Sequence, residues 1–532
     1  MKQVVQNYKT GELAVLDVPV PGCKPGGVLV RTAYSLISTG TELMKVSEAG
    51  MSMLGKARSR PDQVAKVMQS VAVNGVPATY RKVMGKLDSY TPLGYSLCGV
   101  VEQVGAGIDD VAVGDVVACA GNEHALHAEL NWVPKNLYAR VPDGLEPRHA
   151  AFGTVGSIAM QGVRQGEPQL GEVALVIGLG LIGQLVVQLL TASGVRVVGA
   201  DPDPSRCGLA ERLGAVACGD PGSGAGGGPG APPPGGARRG PCDRAARGGP
   251  TPPGEPGPPP GGGGGAPGGG GGGGGGGAPG GGGGAPPLAE LTDGHGVDQV
   301  YLAAGGGSNQ PVELAARLCR DRGRVVDIGK CRLDLPWNAY YEKELDVRFS
   351  RSYGPGRYDP EYELDGRDYP IGYVRWTERR NLACFLDLVA RGKVDVEPLV
   401  SHIADFDDAV ETYRSLKDGE LKAVAVLFRY PGQEREVQAP VLSVPAVRRS
   451  GEGVSAPSRA AGTPVRLAFV GAGNYATSML LPHLVERDGV ELATVVTTTA
   501  LSAANAQRKL GFAAATPPQD AVRGVNSVGA VV

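Results

Sequence analysis

The sequence predicts an α/β protein: an irregular β domain, then a doubly wound parallel sheet, then the start of a second such sheet. Three observations carry this. Short β-type runs with turn residues between them fill Val4 to Pro142. Between Gly171 and Gly214 the periodicity switches to strand, helix, strand, helix, the mark of βαβ units in a parallel sheet. A further strand–turn–helix pattern begins at Val465. At 532 residues the chain exceeds what one hydrophobic core covers, so several folded units are expected.

The β domain is read from runs such as Gly27-Val-Leu-Val-Arg-Thr-Ala33 and Val113-Gly-Asp-Val-Val-Ala118. One insertion breaks it. Val64, Val67, Met68 and Val71, and then Tyr80, Val83, Met84 and Leu87, fall at i, i+3, i+4, i+7, which predicts two amphipathic helices between Pro61 and Asp88. Lys66, Arg81, Lys82 and Lys86 lie on their other faces, either as solvated charge or as a lid that meets an anionic substrate. From Gly219 to Pro287 the chain is almost entirely Gly, Pro and Ala. Such a segment buries too little apolar surface to offset the entropy of ordering, so disorder is expected there. Regular structure resumes at Leu288, with strands at Val297–Ala304 and Arg324–Gly329 around a helix at Pro311–Arg322. A helix at Glu378–Arg391 and a closing βα unit through Phe428 follow, then a polar, proline-bearing linker. The last unit predicts a strand from Val465, a helix at Ser478–Val485 and a strand at Glu491–Thr498. Ending at Val532, it reads as truncated or partner-dependent.

A net charge of −2 without a basic arm gives no field for nucleic acid or anionic lipid. The most apolar run, Val173 to Leu190, is interrupted by glycines, Gln184 and Gln188, which argues against a membrane span. Nine scattered cysteines, no CxxC pair and no signal-like start read as reduced thiols in a cytoplasmic protein. The expected partners are a small-molecule substrate and further copies of the chain in a homo-oligomer.

Gly178-Leu179-Gly180-Leu181-Ile182-Gly183 follows a buried-type strand and opens an apolar helix. Each glycine then has a mechanical role: the tight turn, close approach of a pyrophosphate, and helix-to-strand packing. The helix N-terminus adds amide donors and a positive dipole for phosphate. Asp201 ends the next strand at the spacing where a carboxylate bonds adenosine ribose hydroxyls, which predicts NAD. Arg206, one turn later, leaves NADP open.

A β domain of about 150 residues ahead of such a sheet, with Gly94-Tyr-Ser-Leu-Cys-Gly-Val-Val-Glu-Gln-Val-Gly105 and Val113-Gly-Asp-Val-Val117, resembles the medium-chain dehydrogenase/reductase superfamily of the zinc alcohol dehydrogenase type. The resemblance runs from Met1 to about Phe428, apart from the low-complexity stretch. Arg348-Phe-Ser-Arg-Ser-Tyr-Gly-Pro-Gly-Arg-Tyr-Asp359, Tyr369-Pro-Ile-Gly-Tyr-Val-Arg-Trp-Thr-Glu378, the helical insertion and Gly471-Ala-Gly-Asn-Tyr-Ala476 resemble the bi-domain oxidoreductases, in which such a dehydrogenase is fused to a Gfo/Idh/MocA-type domain. This implies a GroES-like catalytic domain over 1–150, with its insertion at about 52–90 and its completion at about 375–430. A Rossmann domain then covers 151–374, interrupted at 219–287, followed by a linker at 431–463 and a second Rossmann fragment at 464–532.

The family's catalytic zinc sits on a Cys before Gly-Thr-Asp, on the His of Gly-His-Glu and on a later Cys or acidic residue. Here Thr39 precedes Gly40-Thr41-Glu42, and Tyr95-Ser96 follows Gly94. A hydroxyl and a phenol do not replace thiolate and imidazole, so no zinc is expected. Hydride transfer at a carbonyl still needs a group that stabilises or relays the alkoxide proton. The resemblance places Tyr95, Thr39 and Ser96 against the nicotinamide, with Glu42 or His124 to orient or relay; His124 and His127 otherwise read as ordinary polar or core histidines. Lys330, Tyr340, Tyr341, Arg351, Tyr353 and Arg357 form a polar, aromatic group suited to a sugar or an anion. In the second fingerprint Gly471 and Gly473 keep their places, and Ala476 stands for the third glycine. The predicted function is hydride transfer between nicotinamide and an alcohol or carbonyl, in sugar chemistry by resemblance. The alternatives are a dinucleotide-binding protein without turnover and a frameshifted remnant of such an enzyme.

Overall fold

The computed structural model describes residues 1–51, 55, 58, 61–87, 89–220, 288–431, 464–473, 475–485, 487–516 and 530–531. The disorder expected over 219–287 and the linker expected over 431–463 fall almost wholly outside the described residues.

The β domain is built on Lys2–Asn7 (β1), Leu13–Asp17 (β2), Gly27–Ser38 (β3), Tyr90–Pro92 (β4), Ser96–Val104 (β5), Val116–Ala120 (β6), Leu130–Pro134 (β7) and Tyr138–Arg140 (β8). The next six strands are Val173–Ile177 (β9), Arg196–Ala200 (β10), Ala215–Gly219 (β11), Val297–Leu302 (β12), Cys319–Asp327 (β13) and Asp346–Phe349 (β14). The chain then returns with Val400–Asp405 (β15) and Ala425–Arg429 (β16). β16 pairs antiparallel with β3 and parallel with β15, so the larger β sheet runs β15-β16-β3-β5-β6-β8, with β7 also on β3. The β domain is thus closed by residues that lie about 390 positions further along the chain.

The strands from β9 to β14 are all parallel, in the order β11-β10-β9-β12-β13-β14. Alternation along β9 explains why both faces are covered. Ala174 and Val176 pack toward the helices Gly153–Gly166 and Leu181–Ala192, while Leu175 and Ile177 pack toward the helix Gln310–Leu318. The order reverses between β9 and β12, and a ligand crevice opens outside the carboxyl ends of the strands at such a reversal.

The insertion is a helical run, Pro61–Leu87, broken at Gly75, whose φ of 75° and ψ of 165° are not helical. The two arms meet through Ser70 Oγ and Thr79 Oγ1 at 3.3 Å. Their apolar stripe is only partly covered: Met68 is 69% exposed and Tyr80 63%, while Val67, Val71, Val83, Met84 and Leu87 are half-buried. Lys66 is also exposed, while the side chains of Arg81, Lys82 and Lys86 lie outside the description.

The C-terminal unit is a second parallel sheet of Val465–Val470 (β17), Val490–Val496 (β18), Ala514–Thr516 (β19) and Ala530–Val531 (β20), ordered β19-β18-β17-β20. The regular helix expected at Ser478–Val485 is replaced by a π-helical turn, Ala476–Leu480, and a 3₁₀ turn, Leu481–His483. Pro482 accounts for this, because it donates no N–H to the carbonyl four residues back and its ring crowds that carbonyl. The helix Ala500–Leu510 rests on the small sheet β2-β1-β4. Asn505 accepts from Tyr90 N–H at 3.2 Å and donates to Tyr90 C=O at 3.1 Å, occupying the edge of β4 as a neighbouring strand would, and Leu501 packs with Val5 and Val18. Among the described residues no helix is long and apolar enough to cross a membrane.

Candidate dinucleotide site

Strand β9 is buried along its whole length and ends at a turn that glycine alone makes easily. Gly178 has φ +93°, and a Cβ there would stand 2.6 Å from the backbone nitrogen of Ala304, at the end of β12. A Cβ on Gly183 would stand 1.9 Å from the Gly178 carbonyl oxygen, so helix and turn touch at that point. Gly180 differs: nothing lies within 4 Å of its Cβ position. The open side of the turn is therefore the side a pyrophosphate would approach. Leu179 and Leu181 are buried, and Ile182 packs partly against the same core, which pins the turn from below. No side chain caps the helix that starts at Leu181, leaving its first amides for an anion.

Asp201 is buried behind this turn. Its Oδ2 accepts from Leu179 N–H at 2.8 Å and its Oδ1 from Asp203 N–H at 2.9 Å. The carboxylate is thereby fixed in orientation while each oxygen keeps further acceptor capacity. Arg206 Nη1 lies 3.7 Å from Asp201 Oδ2, and its Nε lies 3.7 Å from Asp203 Oδ2, so two carboxylates share its charge.

The β domain meets the sheet above this turn. Met44, on the helix Thr39–Gly50, reaches within 4.0 Å of the Cβ position of Gly305, and the loop carrying Gly305 is held by Gly306 N–H on the Lys330 carbonyl at 3.1 Å. Thr39 Oγ1 lies 3.4 Å from the Val424 carbonyl and 3.5 Å from that of Ala423. Ser96 Oγ donates to the Ala151 carbonyl at 2.7 Å and accepts from Thr154 N–H at 3.3 Å. Tyr95 is buried.

Glu42 does not meet His124. His124 turns to Trp132, with Nδ1 3.4 Å from its carbonyl and the two rings edge to face, and burial holds its pKa below the usual histidine value. The partner of Glu42 is His127, whose Nε2 lies 3.1 Å from Glu42 Oε2. The backbone explains the choice. His127 N–H donates to the Leu93 carbonyl and its own carbonyl accepts from Val4 N–H, both at 2.9 Å, which sets its ring inside the β domain. The Tyr413 hydroxyl also donates to Glu42 Oε2. On the far side of the ring, His127 Nδ1 lies 2.7 Å from Ser35 Oγ, which lies 3.0 Å from the Tyr430 hydroxyl. Burial pushes both phenols far above their ordinary pKa, so they remain protonated. Tyr413, Glu42, His127, Ser35 and Tyr430 thus form one buried chain of hydrogen-bonding groups, in which Glu42 Oε1 has no partner among the described residues. Three of these five residues, Ser35, Tyr413 and Tyr430, carry no sequence signal, because their meeting depends on the return of β16 to β3 and on the helix Ala409–Asp418.

The polar group around 330–357 does not assemble as one site. Tyr340 is buried with its hydroxyl on the Val312 carbonyl at 3.0 Å, and Tyr341 stacks on Trp337 at 4.3 Å. Arg351 and Arg357 lie instead against the ring of Tyr358.

No protein-family model matches the chain. A stretch of 130 residues is 35% identical to D-guloside 3-dehydrogenase of Escherichia coli (strain K12), covering 24% of this chain and 37% of that protein. Over 370 residues the chain is 20% identical to a probable D-xylulose reductase A of Emericella nidulans, covering 64% of this chain and 80% of that protein. The crystal structure of galactitol-1-phosphate dehydrogenase from Escherichia coli superposes with a TM-score of 0.53 at 17% identity, over 81% of this chain and all of that one. The chain shares its fold with that dehydrogenase. The glycine turn and the buried Glu42–His127 chain stand on the two domains that meet at the crevice, the first on the parallel sheet and the second in the β domain.

Proposed function

We propose that this chain is an NAD-dependent dehydrogenase that moves a hydride between nicotinamide and an alcohol or carbonyl on a sugar or sugar derivative, without zinc. The observation that carries the reading is the turn at Gly178–Gly183: two of its glycines are locked by contact, and the third leaves the space a pyrophosphate needs. Bound nicotinamide supplies the hydride acceptor. Asp201, already held by Leu179 N–H, presents its remaining lone pairs to ribose hydroxyls and disfavours a 2′-phosphate, which argues for NAD over NADP.

The donor set does not suit zinc. Thr39 and Tyr95 stand where thiolate and imidazole are needed, and a carbonyl oxygen already engages the Thr39 hydroxyl. Among the described residues no three of His, Cys, Asp and Glu gather closely enough to hold a metal. In this reading Tyr95, Thr39 and Ser96 line the reacting centre, and Glu42 with His127 orients it or relays the alcohol proton; His124 has no part. The names of the relatives, guloside dehydrogenase and xylulose reductase, support a sugar-type substrate. The C-terminal sheet is read as the start of a Gfo/Idh/MocA-type unit. Its Gly471, Gly473 and Ala476 open onto a π-helical turn instead of a regular helix, so a single cofactor per chain is proposed, at the first turn.

Binding without turnover is the second reading, favoured by the engaged hydroxyls of Thr39 and Ser96. Calorimetric titration with NAD, followed by an absorbance screen at the reduced-nicotinamide band over alcohols, sugars and nucleotide sugars, separates the two. Saturable binding with turnover on a sugar is expected. Binding with no turnover on any of them overturns the enzyme reading.

A further inference from the structure

A cavity of about 400 Å³ lies beyond the sheet edge at β14, between the helix Gly153–Gly166 and the loop that follows β14. It is lined by Gln161, Gln165, Arg351, Arg357, Asp359 and Tyr369, among others, with the Asp359 carboxylate already accepting from the Tyr369 hydroxyl, and by no residue of the glycine turn or of the Thr39–Tyr95 set. Its size falls in the range of small-molecule sites.

Three independent features show that this wall is built for a ligand. The loop is strained at residues that are not glycine: Ser352 has φ +53° and Tyr358 φ +68°, flanking Gly354 and Gly356 at φ +120° and +108°. Such conformations persist where the surroundings impose them, and they gather at binding sites. Second, buried polar groups behind the wall lack partners. The Tyr353 hydroxyl, Arg357 Nε and both oxygens of Glu378 have none, although Tyr353 is only 4% exposed and Glu378 2%. Glu378 N–H donates to the carbonyl of Pro355, a wall residue, at 2.9 Å, so its backbone is tied to the wall. Leaving such groups unsatisfied is costly unless something else satisfies them.

The third feature is the state of the cations. Both guanidiniums lie against the Tyr358 ring, Arg351 at 4.6 Å and Arg357 at 4.0 Å from its centroid. Arg357 is neutralised by Glu363 at 2.5 Å. Among the described residues no carboxylate pairs with Arg351, which is exposed at the mouth. The amides of Gln161 and Gln165 donate and accept, as ring hydroxyls require. Burial, with the nearby Glu363 charge, pushes the Glu378 carboxyl up to about 9, so at neutral pH it carries a proton and adds no negative charge to repel an anion.

We propose that this cavity binds a sugar acid, a polyhydroxylated ring of monosaccharide size whose carboxylate pairs with Arg351 and whose hydroxyls meet the glutamine amides. The site is separate from the dinucleotide turn and stands whether or not the chain turns over a substrate. The test is calorimetric titration of the full chain with D-glucuronate, with D-glucose, inorganic phosphate and the variant Arg351→Gln as comparisons, each without and with saturating NAD. Expected are saturable glucuronate binding that NAD leaves unchanged, affinity at least about tenfold weaker for glucose and for phosphate, and a similar loss in the variant. Arg351 is exposed, so the variant should fold and bind NAD as the parent does. The proposal is overturned if glucuronate does not bind, if the variant binds it equally well, if phosphate or glucose binds as tightly, or if NAD displaces it.

Discussion

Two glycines three positions apart in one turn lead to opposite predictions. Nothing lies within 4 Å of a Cβ on Gly180, and its φ of −70° suits any residue. Gly180→Ala should therefore fold with a melting temperature within about 2 °C of the parent, yet bind NAD at least about tenfold more weakly in calorimetry, because the methyl occupies the pyrophosphate's space. A Cβ on Gly183 would sit 1.9 Å from the Gly178 carbonyl, so Gly183→Ala should lose about 2–4 kcal/mol in denaturant unfolding. Equal behaviour of the two variants would contradict the assignment. Glu42→Ala should cost about 3 kcal/mol, since it leaves His127 and Tyr413 buried without their shared partner. At this scale the glycine turn was legible because each glycine acts on neighbours close in sequence. The His127 pairing was not, since it is decided by backbone bonds to Leu93 and Val4, which belong to other strands.

At the scale of elements, the carboxyl at the start of the helix Glu378–Ala390 couples stability to pH. Unfolded, Glu378 titrates near 4.5; folded, it titrates at about 9, raised by burial first and by the Glu363 charge second, against the pull of Arg357. Between those values the folded chain holds one proton more than the unfolded chain, so this group makes stability fall as pH rises through the window. Glu378→Gln removes that dependence. The variant should exceed the parent by about 2–4 kcal/mol at about pH 8, with the gap closing below about pH 4, as read from urea unfolding at both values. A gap independent of pH would contradict the buried, protonated carboxyl. The parallel strands could be read because full burial makes them continuous apolar runs, as in β9. The two helices over Pro61–Leu87 could be read from their i, i+3, i+4, i+7 spacing, but the helix expected after β17 misled, since Pro482 diverts it into π and 3₁₀ turns.

Across the whole molecule, four sheets are joined by contacts that no local pattern announces. Strand β16 completes the β domain from the far end of the chain, and Asn505 seats the C-terminal unit on β4. Asn505→Ala should loosen that seat and speed hydrogen exchange at the Tyr90 amide by about tenfold, leaving NAD affinity unchanged. Homo-oligomerisation is proposed alongside, since β14 is an edge strand whose Phe349 is exposed, and light scattering on the purified chain tests it. The central claim is an NAD-dependent dehydrogenase that works without zinc. Its most direct test is a rate: protein stripped with a chelator, its metal content checked by mass spectrometry, is followed at the reduced-nicotinamide band with NAD and a panel of sugars and alcohols. Persistent turnover in metal-free protein, with one NAD bound per chain, is the predicted result. Failure to bind NAD, or turnover that vanishes on chelation and returns only with zinc, would contradict it.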